Sequence, residues 1–144
     1  KIEEHKTPVI HGDVIHDKKQ YGSIFSTEDV FDALLNNSSF QAQFSVQKII
    51  LAGCTDGIYC DPQDPSKGIF ETIDASLVET VEKSLLSTTN TDITGGMKTK
   101  FSHALNWARQ GIDVHIINGS IPGTLLHVLN NTPTKQTRFN PAGF

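Results

Sequence analysis

A chain of 144 residues is long enough for one domain with a hydrophobic core and too short to divide comfortably into two. Its formal net charge of −4 argues against nucleic acid or an anionic membrane as the partner. The sequence has no apolar run of membrane-spanning length and no signal-peptide pattern at its amino end, so we expect a cytoplasmic protein. The two cysteines, Cys54 and Cys60, are too few for a metal site and are expected to be free thiols.

The first predicted elements are a β-hairpin and a helix. Residues 7–17 alternate and carry β-branched side chains, which predicts a strand, and residues 21–25 predict its partner. Ser26 or Thr27 is expected to cap the helix that follows, because acidic residues fill its first turn. The apolar face of this helix repeats at helical spacing and consists of Val30, Phe31, Leu34 and Leu35.

The middle of the chain predicts a strand, a long loop, a second strand and a helix. Residues 46–53 form a near-continuous apolar run, typical of a strand buried on both faces of a parallel sheet. A surface loop over residues 54–68 and a short strand over residues 69–73 follow. Asp74 is expected to cap a helix that runs to about Leu86.

Two adjacent glycines, Gly95 and Gly96, separate a polar loop over residues 87–92 from an amphipathic helix predicted over residues 97–110. Glycine permits φ > 0 and lets backbone N–H groups approach a ligand, and the positive end of the helix would point at the same place. This arrangement suits a phosphate, but a solvated helix start with two chance lysines explains the local chemistry equally well. The spacing of a Walker A loop is absent.

The carboxy-terminal third predicts two more strands and a helix. Gly111 stands where a helix commonly ends on glycine. A buried strand is predicted over residues 113–118, a helix over residues 122–129 and an edge strand over residues 134–139. Strands and helices in alternation predict an α/β layered domain with a mostly parallel sheet.

Several other side chains are expected to be structural. Trp107 falls near the apolar stripe of its helix and is predicted to lie in the core, whereas Lys98 is expected to be solvated. The histidines show no metal-ligand spacing and are expected at the surface or at strand ends. Those considered are His11, His16, His103, His115 and His127.

Four blocks of sequence, taken in order, resemble one known family. Residues 8–14 are similar to its P-V-x-x-G-D-V strand and turn, and residues 24–29 to its I-x-S-G-D-D motif. Residues 48–59 end like its D-V-D-G-V-Y loop. Residues 92–100 and 114–123 are similar to D-V-T-G-G-M-x-x-K followed by V-x-I-x-N-G-x-x-P-G. The family is the amino-acid kinase superfamily, and the chain resembles the isopentenyl phosphate kinases most closely.

The resemblance covers nearly the whole chain but only the carboxy-terminal half of the family's domain. It implies a three-layer α/β/α sandwich with a mostly parallel sheet, of which residues 1–144 form the ATP-binding lobe. The implied activity is that of an ATP-dependent small-molecule kinase, most similar to isopentenyl phosphate kinase, with a phosphate or a carboxylate as acceptor. ATP and the Mg²⁺ bound with it are the implied cofactors, and no metal site of the protein's own is implied.

The resemblance also implies roles for individual residues. Lys100 would reach the transferred phosphate, and Glu28 would orient the catalytic lysines. The nucleotide would contact Lys100 and seven other residues: Thr55, Asp56, Gly57, Tyr59, Gly95, Gly96 and Met97. The small-molecule substrate would contact Gly12, Asp13 and Ser26.

Three positions depart from the family pattern. Thr27 replaces a glycine, Glu28 replaces an aspartate, and Cys54 replaces the first aspartate of D-V-D-G. A carboxylate moved by about 1 Å costs on the order of a hundredfold in rate. Plain structural roles also fit, because Thr27 and Glu28 are suited to a helix cap and Asp56 followed by glycine to an ordinary turn.

The family's amino-terminal lysine with its Gly-Gly-Ser loop has no match in this chain, and neither has the histidine that binds the acceptor phosphate. The resemblance therefore implies a complementary amino-terminal segment as partner, without which we expect no catalysis. A non-catalytic nucleotide sensor stays open as an alternative. A kinase for acetylglutamate, fosfomycin or uridylate also stays open, because the other half of the domain largely sets the acceptor. A homodimer is also left open.

Overall fold

The structure, a computed structural model, describes residues 12–16, 21–86 and 91–144. The chain forms two compact units, Lys1–Ser45 and Val46–Phe144. Within the described ranges, no helix combines the length and the apolar character needed to cross a bilayer.

The first unit contains the predicted hairpin and helix. Strand β1 (Asp13–Ile15) pairs antiparallel with β2 (Ser23–Phe25), and two helices follow, α1 (Thr27–Leu35) and α2 (Ser38–Gln41). The parts of the hairpin prediction that cover residues 7–11 and 17–20 lie outside the described residues.

Ser26 caps α1, so of the two predicted caps, Ser26 and Thr27, the first is the one observed. Its hydroxyl accepts a hydrogen bond from the Asp29 backbone N–H at 3.1 Å, and the Asp29 carboxylate accepts one from the Ser26 N–H at 2.9 Å. This reciprocal capping box satisfies two N–H groups that a helix start leaves without partners. The cap is therefore made by Ser26 and Asp29 rather than by Thr27 and Glu28.

The second unit is built on a four-stranded sheet. Its strands are β3 (Lys48–Gly53), β4 (Thr72–Ile73), β5 (Asp113–Asn118) and β6 (Thr137–Phe139), in the spatial order β3-β5-β6-β4. The β3–β5 and β4–β6 pairs are parallel and the β5–β6 pair is antiparallel. Two of the three pairings are thus parallel, which confirms the predicted α/β class with a mostly parallel sheet.

The prediction that the last strand forms a sheet edge is wrong. β6 lies between β5 and β4, and both Thr137 and Phe139 are fully buried. A polar, threonine-rich strand resembles an edge strand in sequence, but the Thr137 hydroxyl finds a buried partner in the Ile58 N–H. The strand can therefore occupy an interior position without leaving a polar group unsatisfied.

Three helices pack on this sheet: α3 (Val78–Leu86), α4 (Thr91–Arg109) and α5 (Thr124–Leu129). α3 begins three residues later than predicted for a helix capped by Asp74, because Asp74 accepts the backbone N–H and the hydroxyl of Ser76 and so closes a separate turn. The chain leaves α4 at Gly111 with a φ of 90°, as predicted for a C′ glycine.

The helices of the second unit lie on both faces of its sheet. Phe101 of α4 contacts Phe139 with ring centroids 5.7 Å apart, and Phe139 pairs with Val114, so α4 covers that face. Side chains alternate between faces along a strand, so Asp113 points the other way, together with its partner Lys48. The Lys48 ammonium donates to the Val128 carbonyl of α5 at 2.9 Å, which places α5 on the opposite face.

The core lies mainly under α4. Trp107 is fully buried there, as predicted, and Ile49 and Leu51 of β3 are each 7% exposed. On the other face of β3, Ala52 is exposed, so the predicted burial of both faces is wrong near the carboxyl end of this strand. The six residues of α5 span about 9 Å, whereas β3 spans about 20 Å, and the short helix cannot cover the whole strand.

Candidate functional site

The carboxyl ends of β3 and β5 meet at one edge of the sheet. Gly53 is paired with Asn118, and one residue further on the Gly119 N–H donates to the Gly53 carbonyl at 2.8 Å. Open α/β sheets bind ligands beyond the carboxyl ends of their parallel strands. This edge, with the loop after β3, is therefore the candidate site, and it is called the carboxyl edge below.

Lys100 brings its ammonium to the carboxyl edge. A Cβ atom built on Gly53 would lie 3.7 Å from Lys100 Nζ, and the lysine is half-buried. Lys98, two residues earlier on α4, is exposed, as predicted. The sequence pattern thus selected the lysine that lies beside the predicted nucleotide loop.

The predicted bend at Gly95 and Gly96 is wrong. α4 begins at Thr91 and runs through both glycines, whereas the predicted loop residues 87–90 lie outside the described residues. Glycine permits a bend but does not require one, and a helix costs only about 1 kcal/mol for each glycine. Backbone N–H groups inside a helix are already bonded, so α4 contributes positive charge to this edge through the Lys100 ammonium rather than through a helix start at Met97.

The loop after β3 is anchored through the carboxylate of Asp56. One oxygen accepts from the Asn118 side-chain amide at 3.0 Å, and the other accepts from the Lys135 ammonium at 2.7 Å. The bond from Lys135, and then that from Asn118, lowers the pKa of Asp56 below its ordinary value of 3.8. The Asn118 side-chain oxygen also accepts from the Ser120 N–H at 3.0 Å. Asp56 therefore joins the ends of β3 and β5 to the segment that precedes β6.

Gly57 is required by the packing of this loop. A Cβ atom here would clash with the Thr137 hydroxyl and lie 2.9 Å from the Thr137 backbone nitrogen. The next residue, Ile58, is fully buried and donates its N–H to the Thr137 hydroxyl at 2.8 Å. Asp56 and Gly57 therefore pack against β6 and its preceding segment, a contact called the seam below, and do not form a mobile surface turn.

The rest of the predicted surface loop is also ordered by backbone bonds. Tyr59 forms an isolated antiparallel bridge with Ile69, and the Cys60 N–H donates to the Gly68 carbonyl at 3.0 Å. Thr55 and Tyr59 are half-buried. Both cysteines are free thiols, as predicted, and Cys54 is exposed. The four predicted nucleotide contacts in this loop are thus held on a rigid support.

The first unit brings together two of its predicted substrate contacts. A Cβ atom on Gly12 would lie 2.5 Å from the Phe25 carbonyl oxygen and 2.9 Å from the Thr27 nitrogen, so the Gly12 backbone packs against the start of α1. The Ser26 hydroxyl donates to the Asp29 carboxylate at 2.7 Å as part of the cap. Asp13 begins β1, and Glu28 is half-buried in the first turn of α1.

Sequence reasoning missed a polar cluster on the α5 face of the sheet. His115 is 4% exposed, so its predicted surface position is wrong; its ring Nδ1 lies 2.8 Å from the Gln136 side-chain oxygen and Nε2 lies 3.1 Å from the Asp113 carboxylate. Arg138 donates to both oxygens of Asp113, at 2.7 and 3.2 Å. Burial raises the pKa of Asp113, but the contacts with Arg138 and His115 outweigh it, and the pKa is lowered overall.

Lys135 and Asn118 are the residues of the carboxyl edge to which sequence analysis assigned no role. Asn118 lies in the matched N-G motif, which was the available signal, whereas Lys135 is 79 residues from Asp56 and no local pattern connects them. A cavity of about 640 Å³ opens beside this lysine. Its lining includes Glu71, Thr72, Thr134, Lys135, Gln136 and Arg138. In the described part of the chain, no group of three or more His, Cys, Asp or Glu side chains is placed to hold a metal ion.

The chain matches the model of one protein family, the amino acid kinase family, over residues 2–118. It is 32% identical over 144 residues to the isopentenyl phosphate kinase of Methanothermobacter thermautotrophicus, which covers 95% of this chain and 50% of that protein. It is 37% identical over 84 residues to the acetylglutamate kinase of Methanococcus aeolicus, covering 57% of this chain and 26% of that protein.

A solved structure of isopentenyl phosphate kinase shares the fold, with a TM-score of 0.66 at 22% identity. The similarity covers 96% of this chain and 47% of the solved one. The chain thus spans half the length of the first curated relative and about a quarter of the second.

Proposed function

Because this chain belongs to the amino acid kinase family, we propose that it supplies the nucleotide-binding part of an ATP-dependent phosphotransferase. The observation that carries the proposal is the position of the Lys100 ammonium beside Gly53, where a Cβ atom built on this glycine would lie 3.7 Å from Lys100 Nζ. Phosphoryl transfer mainly requires a protein to position the reactants and to neutralise the charge of the moving group. A lysine at the carboxyl edge supplies that positive charge where ligands of such sheets bind.

The loop after β3 is the proposed support for the nucleoside. Asp56 and Gly57 shape the loop through their own contacts, so Thr55 and Tyr59 are the side chains proposed to touch ribose and base. The rigid seam favours binding because little conformational freedom is lost when a ligand arrives. The Mg²⁺ of this proposal comes with the nucleotide and is held by its phosphate oxygens.

The stretch of α4 before Lys100 is the proposed neighbour of the phosphates. A Cβ atom on Gly96 would meet no atom within 4 Å, which leaves room for a ligand against the helix backbone. Met97 is half-buried one turn before Lys100. Gly95, Gly96 and Met97 are therefore retained as proposed nucleotide contacts, now as residues along a helix rather than at its start.

The acceptor is proposed to be a small phosphate, with isopentenyl phosphate as the most specific candidate, since the similarity to that kinase extends over 95% of the chain. The relative that phosphorylates acetylglutamate supports a carboxylate acceptor as the second candidate. Gly12, Asp13 and Ser26 are the proposed acceptor contacts, and Glu28 is proposed to orient the catalytic lysines. Transfer is proposed to need a complementary amino-terminal segment, in a cytoplasmic enzyme.

The test is Lys100→Ala against Lys98→Ala, measured in the chain together with its complementary amino-terminal kinase segment. Loss of a preorganised charge from the transferred phosphate predicts a kcat about a hundredfold lower for Lys100→Ala. Lys98 lies on the same helix and is exposed, so its substitution is expected to leave kcat within about twofold of wild type. Equal turnover by wild type and Lys100→Ala would contradict the assignment.

A nucleotide sensor is the second candidate, and the substitutions Thr27, Glu28 and Cys54 favour it. Calorimetric titration of the chain with Mg·ATP distinguishes the two functions when it is combined with the turnover measurement. Binding together with phosphoryl transfer supports the kinase, and binding without transfer to either acceptor supports the sensor.

A further inference from the structure

We propose that Lys135 is a positioning residue of the nucleotide site, which neutralises the Asp56 carboxylate so that the loop after β3 tolerates a polyphosphate. The inference rests on the proposed function and deepens it, because it identifies a charge that determines how tightly that site holds an anionic ligand. Lys135 belongs to none of the motifs that relate the chain to its family.

The geometry joins this lysine to the loop at one atom pair. Lys135 Nζ lies 2.7 Å from one Asp56 oxygen, while Asn118 occupies the other at 3.0 Å. The lysine side chain is 60% exposed and the Asp56 side chain 20%. The ammonium therefore stands against the loop that is proposed to support the nucleoside.

The charges explain why a neutraliser is needed. Asp56 is ionised at neutral pH, because its hydrogen bonds lower a pKa whose ordinary value is already 3.8, and Asn118 orients this carboxylate without cancelling its charge. A fixed negative charge beside the proposed nucleotide loop repels a triphosphate, because like charges repel and a partly exposed site screens them less than bulk water does. The Lys135 ammonium contacts this carboxylate and cancels its charge, which removes the repulsion at this point of the loop.

Two simpler roles predict different behaviour. A lysine that merely ties two segments together would change stability, but an ion pair this exposed contributes little to it. A lysine that contacts phosphate directly would remain necessary whatever residue stands at position 56. Neutralisation alone predicts that the need for Lys135 disappears when Asp56 loses its charge.

The experiment is a double-mutant cycle read by calorimetric titration with Mg·ATP. Lys135→Met is expected to weaken binding about tenfold, as for one uncompensated charge at a partly exposed site. Asp56→Asn keeps an oxygen that accepts from Asn118 and leaves the Lys135 charge uncompensated, so it is expected to bind Mg·ATP at least as tightly as wild type. The double variant Asp56→Asn/Lys135→Met is expected to bind within about twofold of wild type, and the loss in Lys135→Met is expected to shrink as salt is raised.

Lys67→Met is the matched control. Lys67 Nζ lies 2.7 Å from an Asp61 oxygen, and its side chain is 58% exposed, so the pair closely resembles that of Lys135 except for its place in the fold. Its substitution is expected to leave ATP affinity unchanged. Thermal midpoints of Lys135→Met and Lys67→Met that both match that of wild type would show that neither variant acts by unfolding the chain.

The outcomes separate this inference from the proposed function. Unchanged affinity in Lys135→Met would overturn the inference, and so would a double variant that binds as weakly as Lys135→Met. In both cases the proposed function stands as long as the wild-type chain binds Mg·ATP. A wild-type chain that does not bind Mg·ATP would overturn the proposed function and the inference together.

Discussion

Two aspartate–cation pairs with the same 2.7 Å contact lie at opposite ends of β5, and they differ in what surrounds them. At the carboxyl edge, Asp56 lies on a loop and meets a single ammonium, that of Lys135. At the amino end, Asp113 lies on β5 itself and receives two N–H groups from Arg138 of β6. The same contact joins a loop to the segment before β6 at one end and two strands at the other, so the two pairs are expected to serve different roles.

Gly57→Ala should produce the largest effect at the carboxyl edge. The added methyl group clashes with Thr137, so the loop must leave β6 and the buried Ile58 N–H must lose its acceptor. We expect about 2–3 kcal/mol of lost stability, measured by urea unfolding, and ATP binding weakened beyond that of Lys135→Met. Gly68→Ala is the control, because a Cβ there meets no atom within 4 Å although φ is 83°. Similar losses of stability in the two variants would mean that the alanines act through the backbone conformation of the glycines rather than through the contact of Gly57 with β6.

Arg138→Met tests the pair at the amino end. Removal of the guanidinium leaves the Asp113 carboxylate without its two strongest donors, which is expected to lower the free energy of unfolding by about 1–2 kcal/mol. The expected loss of stability is small because the Arg138 side chain is 43% exposed and solvent screens the pair. Arg138→Lys keeps the charge but loses the paired geometry, so its loss should be intermediate.

ATP affinity distinguishes the two pairs. Arg138→Met is expected to change Kd for Mg·ATP by less than about twofold, because Asp113 lies at the far end of β5 from the loop that Lys135 supports. A Kd as weak as that of Lys135→Met would mean that both pairs serve the nucleotide site and would remove the contrast between them.

The two regions also differ in how much of them the sequence could predict. Residues 113–118 were predicted as a strand with the observed bounds, because a short apolar run with β-branched residues is a local signal. The pairings that matter join residues 25 positions apart in one case and 79 in the other, and no local pattern connects them. His115 illustrates the limit, because its buried ring nitrogen has its partner in Gln136, which lies just before β6 and 21 residues away along the chain.

The candidate site shows the same division. Lys100 and Gly57 were identified through motifs, and the structure places Lys100 beside Gly53 and packs Gly57 against Thr137. The start of α4 was not predictable, because Gly95 and Gly96 are permissive in both a bend and a helix. Lys135 had no signal at all, since its importance comes from the charge of Asp56 and not from its own neighbours in sequence.

Acid unfolding gives the finest comparison of the two pairs. The pKa of Asp56 and that of Asp113 are both lowered in the folded state, so each contributes stability that is present above the ordinary value of 3.8 and is lost as pH falls through the lower, folded value. Wild type should therefore lose stability below about pH 4, measured as the urea midpoint at pH 3 against pH 7. Arg138→Met should lose less stability between these two pH values, because Asp113 is then already without the guanidinium that lowers its pKa. Lys135→Met should change the acid loss by a smaller amount, since solvent screens its pair more strongly and Asn118 still bonds to Asp56. If the two variants reduce the acid loss equally, the pairs are equivalent for stability and only ligand binding distinguishes the two ends of β5.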